Sequence, residues 1–344
     1  MQREFVVGGI VTIIVGLGLG FLFLNASGTM SPEGVINKQQ RSYTEITNPS
    51  GFVNTDGITI GELVGKKVIL IDFLTYSCIN CQRTFPYLNA WYKEYKDQGL
   101  EIIGIHTPEF AFEKNIENVR EAMKKFGITY PIVLDNDYAT WNAWGNRYWP
   151  RKYLIDINGA VVYDHIGEGA YEETEMKIRE LLNERARVLD NQVIINKDEL
   201  ASRTVTQSSS LAKSPETYFG ASRNEYLGNG KPGVSGRQEL VIPATKKLNT
   251  LYLGGAWNIT NEYAENIERE AKIVYMFDAK NVYIVAGADV PVEITVMLDG
   301  KTIGKQKIQT NTLYTLISNT SSGGHMLELL IHNPGLKVYT FTFS

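Results

Sequence analysis

The sequence predicts an N-terminal transmembrane helix, then a mixed α/β domain, then an all-β sandwich. Three observations support this: an uncharged apolar segment near the N-terminus, alternating strand and helix patterns up to residue 190, and only strand patterns from residue 214 onward. A chain of 344 residues is also too long for one typical hydrophobic core, so about two domains are expected.

Composition excludes several classes of protein. The hydrophobic fraction of 43% and the charged fraction of 21% are ordinary for a globular protein. The net charge of -4 offers no basic face for nucleic acid. The 2 cysteines are too few for a disulfide framework, and too few for a four-ligand zinc site without help from histidine.

Residues 6–24 form the uncharged apolar segment, and a bilayer core needs about 20 such residues. Arg3 precedes it and the next basic residue is Lys38, so the positive-inside rule places the N-terminus in the cytoplasm. We therefore expect a single-pass protein of the cell membrane, with residues 1–25 as cytoplasmic N-terminus and anchor. The alternative is a signal peptide cleaved near Ala26, followed by secretion. The apolar run exceeds the usual signal core of about 7–15 residues, which favours the anchor.

Residues 26–50 are polar and read as a tether, and the α/β domain is predicted over 51–190. Its elements follow from apolar runs, helical spacing and turn residues. They are, in order, a buried strand in 63–74, a helix from Cys81, a strand at 100–105, a helix over 113–126, an extended segment at 130–135, a hairpin around Asn158-Gly159 and a helix over 172–189. This order predicts a mixed central sheet flanked by helices.

A polar linker is predicted at 191–213, and the second domain at 214–344. Short strand-like runs with turn signals fill this second region, and Asp299-Gly300 suits a two-residue hairpin turn. Several short strands at such spacing are typical of an antiparallel β-sandwich.

The two cysteines, Cys78 and Cys81, lie where a predicted buried strand ends and a helix begins. The free amides and dipole of a helix N-terminus would stabilise a thiolate at Cys78. Cys81, one turn further, would be positioned to resolve a mixed disulfide. A zinc half-site and a small structural disulfide are the alternatives. No histidine lies at a zinc-ligand spacing from the pair, and so short a loop would stabilise little. We therefore predict a redox dithiol with no cofactor and no metal.

The segment IDFLTYSCINCQRTFPYL, residues 71–88, resembles the active-site stretch of thioredoxin. Asp72 stands six residues before Cys78, like the buried acid of that family. Pro86 stands eight residues after Cys78, like the proline of the first long helix. Trp149-Pro150 precedes a strand, where the family places its cis-proline loop. The resemblance implies a thioredoxin fold.

The resemblance is nearest to the TlpA/ResA branch and its DipZ-like subgroup, through residues 103–110, 130–135 and 147–171. Residues 214–220 resemble the start of that subgroup's carbohydrate-binding-module-like sandwich. Two departures occur around the cysteines: Ser77 replaces the usual tryptophan, and Ile79-Asn80 replaces Gly-Pro. A single span stands where full-length DipZ-like proteins carry a multi-span electron-conducting domain. The resemblance therefore implies a separate CcdA-like membrane electron donor.

Two acids are candidates for proton transfer. Asp72 lies in an apolar run, where burial would raise its pKa and let it exchange a proton with Cys81. A solvated aspartate at a strand end is the alternative, and the resemblance favours the functional role. Glu109 follows the second strand, where ResA-like proteins place an acid near the cysteines; a surface glutamate is an equal alternative. For Arg83 the alternatives are a contribution to the local potential at the cysteines and an exposed surface arginine, and the second is favoured.

The resemblance also implies a substrate-binding surface. Pro150 would hold the backbone before it open for pairing with an extended substrate segment. Trp149 would lie beside the cysteines, with core packing as its alternative, and Tyr76 would line the same rim.

The activity implied is reduction of disulfides in exported proteins, apocytochrome c among them, by a membrane-anchored extracytoplasmic thiol–disulfide oxidoreductase. One alternative is a binding or scaffold protein that acts through the β-sandwich. The other is a thiol peroxidase of the same fold. Peroxiredoxins carry a proline in the approach to their cysteine and residues 73–77 have none, which disfavours the peroxidase.

Overall fold

The computed structural model describes residues 41–190, 195, 200–205, 213–318, 320–321 and 323–344. The predicted transmembrane segment 6–24 and the first part of the tether lie outside the described residues, as does most of the predicted linker. Within the described ranges, no helix has both the length and the apolar character that a membrane crossing requires.

The first domain alternates strands and helices. Its strands are β1 (Arg41–Ser42), β2 (Gly51–Val53), β3 (Val68–Leu74), β4 (Leu100–His106), β5 (Ile132–Leu134), β6 (Arg151–Ile155) and β7 (Ala160–Ile166). Its helices are α1 (Ile79–Tyr95), α2 (Ile116–Lys125), α3 (Ala139–Trp144) and α4 (Tyr171–Val188). Three short 3-10 helices lie at Lys96–Gln98, Ala111–Lys114 and Ala201–Thr204.

The seven strands form one mixed sheet in the order β1-β7-β6-β3-β4-β5-β2. Strand β3 runs parallel to β4 and antiparallel to β6, so the prediction of a mixed sheet with a thioredoxin-like fold is confirmed. All seven residues of β3 are buried, as expected for a central strand covered on both faces. One hydrophobic cluster takes Leu88 and Leu182 from α1 and α4, and the opposite cluster takes Trp141 and Trp144 from α3.

The second domain is all-β, which confirms the predicted class. Its strands are β8 (Thr217–Tyr218), β9 (Gly236–Leu240), β10 (Leu251–Ile259), β11 (Ala264–Asn266), β12 (Ala271–Asp278), β13 (Val282–Gly287), β14 (Val292–Leu298), β15 (Lys301–Ile308), β16 (Thr312–Ile317), β17 (Gly324–Ile331) and β18 (Lys337–Phe343).

In the described part of the chain, these strands form one curled eleven-stranded sheet rather than two unconnected sheets. Strand β10 makes the connection, because its first half pairs with β12 and its second half pairs with β9 and β11. Gly255 lies at the change of partner with φ of 92°, a conformation that favours glycine. Side chains from both groups of strands share one hydrophobic core.

The two domains contact each other through aromatic side chains, and residues 40–344 form one compact unit. Phe110, in the loop after β4, is buried against Tyr339 of β18, with 5.0 Å between ring centroids. Phe112 packs edge-on against the same tyrosine at 4.9 Å. This contact fixes the β domain beside the loop that follows β4.

Candidate active site

Cys78 occupies the N-cap position of α1, directly after the loop that leaves β3. Its backbone is extended, with φ of -76° and ψ of 121°, and no side chain caps the helix. The first amides of α1 are therefore open to a negative charge at the cysteine, and the helix dipole favours that charge. Cys78 is partly exposed, whereas Cys81 is fully buried one turn along the helix. The structure thus brings the two thiols together at the predicted place.

The two cysteines differ in their electrostatic environment. The pKa of Cys81 is raised well above its ordinary value, first by burial and then by its hydrogen bond to Cys78 and the nearby charges of Cys78 and Asp72. Cys81 therefore holds its proton, and its thiol donates to the Cys78 sulfur.

Asp72 lies on β3 beneath Cys81 and is fully buried. Neither carboxyl oxygen has a hydrogen-bond partner among the described residues. Burial raises the pKa of Asp72 to about 7, and the charge of Lys152 opposes part of that rise. A carboxyl that titrates near neutral pH beside a buried thiol is suited to accept and return a proton.

Lys152 is the first site residue that sequence reasoning missed. It lies on β6 directly opposite Asp72 in the antiparallel register, so both side chains point to the same face of the sheet. Lys152 is fully buried, and its Nζ lies 3.5 Å from the Gly167 carbonyl oxygen. Burial lowers the pKa of Lys152, while Asp72 and Cys81 raise it. The available signal was a lysine within the apolar strand-like run 152–155. Lysine is almost never fully buried without a partner, so its presence in a buried strand indicates an acid nearby.

Glu113 is the second missed residue. It is fully buried, and its Oε1 accepts hydrogen bonds from the hydroxyls of Thr75 at 2.5 Å and Ser77 at 2.6 Å. Its Oε2 accepts from the backbone amides of Glu109 at 2.6 Å and Phe110 at 2.9 Å. Glu113 therefore joins the loop before Cys78 to the loop after β4. No sequence pattern distinguishes this acid from Glu109.

Glu109 itself lines the same cavity as Cys78 but is engaged by the β domain. Its Oε1 accepts from the Tyr218 hydroxyl at 2.8 Å and pairs with Arg223 at 2.8 Å. The sequence left open whether Glu109 lies near the cysteines or on the surface. The structure places it near the cysteines, where an ion pair with Arg223 of the other domain holds it.

The Trp149-Pro150 peptide bond is cis. The Trp149 indole nitrogen donates to the Thr107 carbonyl oxygen at 3.1 Å, and its ring lies 4.2 Å from that of Trp141. Trp149 also lines the cavity at Cys78. The structure thus brings this loop to the cysteines, and Trp149 both packs against another tryptophan and faces the cavity.

Tyr76 does not reach this cavity, contrary to the expectation that it lines the rim. It is 3% exposed and stacks on His106, with 5.6 Å between ring centroids. It instead lines a separate cavity of about 300 Å³. The side chain turns inward because His106 and Phe112 offer it an aromatic environment.

Arg83 is a second correction, since the structure buries it instead of exposing it. Its guanidinium pairs with Glu168 at 3.0 Å and lies over the ring of Tyr283 in the β domain, 5.6 Å from the centroid. Sequence alone could not anticipate this, because the residue that covers Arg83 belongs to the other domain.

The cavity beside Cys78 measures about 380 Å³, and both domains line it. The first domain contributes Cys78, Arg83, Glu109, Trp149 and Glu168 to the lining. The second domain contributes Glu216, Tyr218, Arg223 and Phe343. Among the residues that the structure describes, no group of three or more His, Cys, Asp or Glu side chains is arranged to hold a metal ion.

Comparison with known families divides the chain into two parts. Residues 50–208 match the Redoxin family, and residues 214–344 match the family described as Thioredoxin like C-terminal domain.

Curated relatives cover both parts. Protein DipZ of Mycobacterium tuberculosis is 39% identical over 299 residues, which is 86% of this chain and 42% of that protein. Thiol-disulfide oxidoreductase ResA of Halalkalibacterium halodurans is 33% identical over 133 residues, 38% of this chain and 70% of that protein. Thiol-disulfide oxidoreductase YkuV of Bacillus subtilis is 28% identical over 147 residues, 43% of this chain and 98% of that protein. The chain spans less than half the length of the DipZ protein that it matches.

Proposed function

Because this chain belongs to the thioredoxin-like family of thiol–disulfide oxidoreductases, we propose that it catalyses thiol–disulfide exchange through Cys78 and Cys81. The observation that carries the proposal is the unequal pair: a partly exposed cysteine at the N-cap of α1 and a buried thiol above the unpartnered carboxyl of Asp72. A nucleophile needs exposure and a stabilised thiolate, whereas a resolving thiol needs protection and a nearby base.

The exchange proceeds in two displacements. The Cys78 thiolate attacks one sulfur of the substrate disulfide, a mixed disulfide forms, and the other substrate sulfur leaves and takes a proton. Cys81 then gives its proton to Asp72 and attacks Cys78, which releases the second substrate thiol. The substrate gains two electrons and two protons, and the enzyme holds a Cys78–Cys81 disulfide.

Neighbouring residues would prepare these steps. Trp149 and Pro150 are proposed to bind the substrate backbone beside Cys78, and the presence of Trp149 in the cavity lining supports this. Glu113 is proposed to position the Thr75–Ser77 segment that leads into Cys78. The ion pair of Glu109 with Arg223 favours a role in holding the cavity wall over a role in proton transfer.

We further propose that residues 6–24 anchor the protein in the membrane, with the catalytic and β domains on the extracytoplasmic side. The working direction is reduction of exported protein disulfides, with apocytochrome c as one client. A CcdA-like membrane thiol donor would return two electrons to the Cys78–Cys81 disulfide by the same exchange in reverse. The uncharged segment and the resemblance to the ResA branch support these assignments.

Equilibration with glutathione at defined ratios tests the proposal. We expect one two-electron transition with a potential at or below about -270 mV, as for thioredoxin. A potential near about -120 mV would reverse the proposed direction without removing the activity. If the Cys78–Cys81 disulfide neither forms nor exchanges with glutathione, the activity itself is refuted. Cys78→Ser is the control, since it must abolish the transition.

A further inference from the structure

The β domain closes one side of the cavity beside Cys78. Its wall includes Glu216, directly before strand β8, and Tyr218 within that strand, and the end of β18 brings Thr342 and Phe343. A volume of about 380 Å³ lies at the small end of the range of ligand pockets, roughly 300–1,000 Å³. Such a space admits a few side chains of an extended segment and excludes the surface of a folded domain.

Two of the three carboxylates in this cavity are already neutralised by arginines. Glu168 pairs with Arg83 at 3.0 Å, and Glu109 pairs with Arg223 at 2.8 Å. Both arginines are also held by aromatic rings. The guanidinium carbon of Arg223 lies 3.6 Å from the centroid of Tyr218, and that of Arg83 lies 5.6 Å from the centroid of Tyr283. Arg83 is buried in these contacts, whereas Arg223 stays partly exposed.

Glu216 is the third carboxylate and differs from the other two. Its side chain reaches solvent while its carboxyl group lies in a desolvated environment, and it takes part in no ion pair among those that the described residues form. Its Oε1 accepts a hydrogen bond from the Thr342 hydroxyl at 3.2 Å, which orients the carboxylate without neutralising it. Burial raises the pKa of Glu216 to about 7, with the charge of Glu109 adding to the rise and Arg223 opposing it, so above pH 7 Glu216 adds a third carboxylate to a cavity lined by two guanidiniums.

We propose that Glu216 forms a specificity subsite that recognises a lysine or arginine next to the disulfide-bonded cysteine of an extended polypeptide substrate. The inference rests on the proposed function, because Cys78 must react with that disulfide. The β domain is then part of the substrate-binding machinery of the redox site. A polypeptide is favoured over a small disulfide because Trp149, which the proposed function assigns to binding the substrate backbone, lines the same cavity.

The expected preference is modest because the pair is partly solvated. Exposed ion pairs contribute up to about 1 kcal/mol, which corresponds to a factor of about five in rate constant. Salt should weaken the preference, since exposed charges are screened over about 10 Å at 0.1 M ionic strength.

Three fluorescent peptides provide the test. Each contains one cysteine joined by a disulfide bond to a quencher, and they differ only in having lysine, glutamine or glutamate on both sides of that cysteine. The reduced full-length chain is mixed with each at pH 8, where the Glu216 carboxyl is ionised, and kcat/KM is taken from the recovered fluorescence. We expect the lysine peptide to exceed the glutamate peptide about fivefold. Glu216→Gln should reduce this ratio to below about twofold, and Glu216→Lys should reverse it. Glu328→Gln, on β17 and outside the cavity, is the matched control and should keep the ratio.

The outcomes separate the subsite from the activity. If the wild-type dithiol reduces none of the peptides, the proposed function fails. If it reduces all three but the ratio is the same in wild type and Glu216→Lys, the subsite is refuted and the activity stands. A reversed preference in Glu216→Lys cannot arise from partial unfolding, which would slow all three peptides together.

Discussion

Glu113→Gln tests whether burial or hydrogen bonding has the larger effect on the pKa of Glu113, the acid beneath the active-site loop. The substitution keeps the shape of the side chain and removes its charge. In the wild type, all five partners of the carboxyl group are donors: two hydroxyls and the Ser77 amide at Oε1, and two backbone amides at Oε2. The donors favour the carboxylate, whereas complete burial favours the protonated acid.

Burial is the larger effect and raises the pKa of Glu113 from 4.5 to about 7. Between these two pH values the native state holds a proton that the unfolded state has released. The wild type therefore loses stability as the pH rises from about 4 to 8. This rise in the pKa of Glu113 corresponds to about 3 kcal/mol of unfolding free energy. The glutamine variant has no proton to release, so its unfolding free energy relative to that of the wild type should increase by about 3 kcal/mol over this pH range.

Urea titration of the full chain at pH 4, 6 and 8 measures this difference in unfolding free energy. Glu94→Gln is the control, because Glu94 is exposed on the same domain and its loss should give no such trend. If the unfolding free energy of the glutamine variant instead falls relative to the wild type as the pH rises, the five donors outweigh burial and the reasoning is refuted. A ¹³C titration of the Glu113 carboxyl gives the pKa directly and must agree.

Three further predictions concern the chemistry and the packing. Cys81→Ser should accumulate a mixed disulfide between Cys78 and substrate, seen by mass spectrometry, and an absence of adduct would contradict the assigned order of attack. Because the pKa of Asp72 is about 7, the rate at which Cys81 resolves the mixed disulfide should increase as the pH rises through 7 in the wild type. Asp72→Asn should remove this inflection and slow resolution, measured by stopped flow, about a hundredfold at pH 8. An unchanged pH profile would exclude Asp72 as the base. Gly220→Ala should lower the unfolding free energy by about 1–3 kcal/mol in urea titration, because the added Cβ would clash with the backbone carbon of Glu262, and a neutral effect would show that this loop can shift.

The structure confirms much of the fold that the sequence predicts. The run 63–74 contains β3, and the helix predicted from Cys81 begins at Ile79. Hydrophobic spacing is a local property, so it predicts strands and helices without knowledge of their neighbours. The same holds for the cysteines at the N-terminus of α1. The pairing of β10 with two groups of strands was not predictable, because it depends on contacts far apart in the chain.

The candidate site was predicted only in part, for the same reason. Cys78, Cys81 and Asp72 follow from one continuous segment that contains a strand, a turn and a helix. Lys152 meets Asp72 only through the register of β6 on β3.

The sequence by itself therefore determined the reactive dithiol, its place at a helix N-terminus and the order of the two domains' elements, because each depends on residues close together in the chain. Only the tertiary structure decided which acids are buried, that Tyr76 turns inward and that Arg83 is covered. It also decided that Glu216 of the β domain faces Cys78 across one cavity. Burial and charge pairing arise between segments distant in sequence, and they set the pKa of Asp72 and of Glu113.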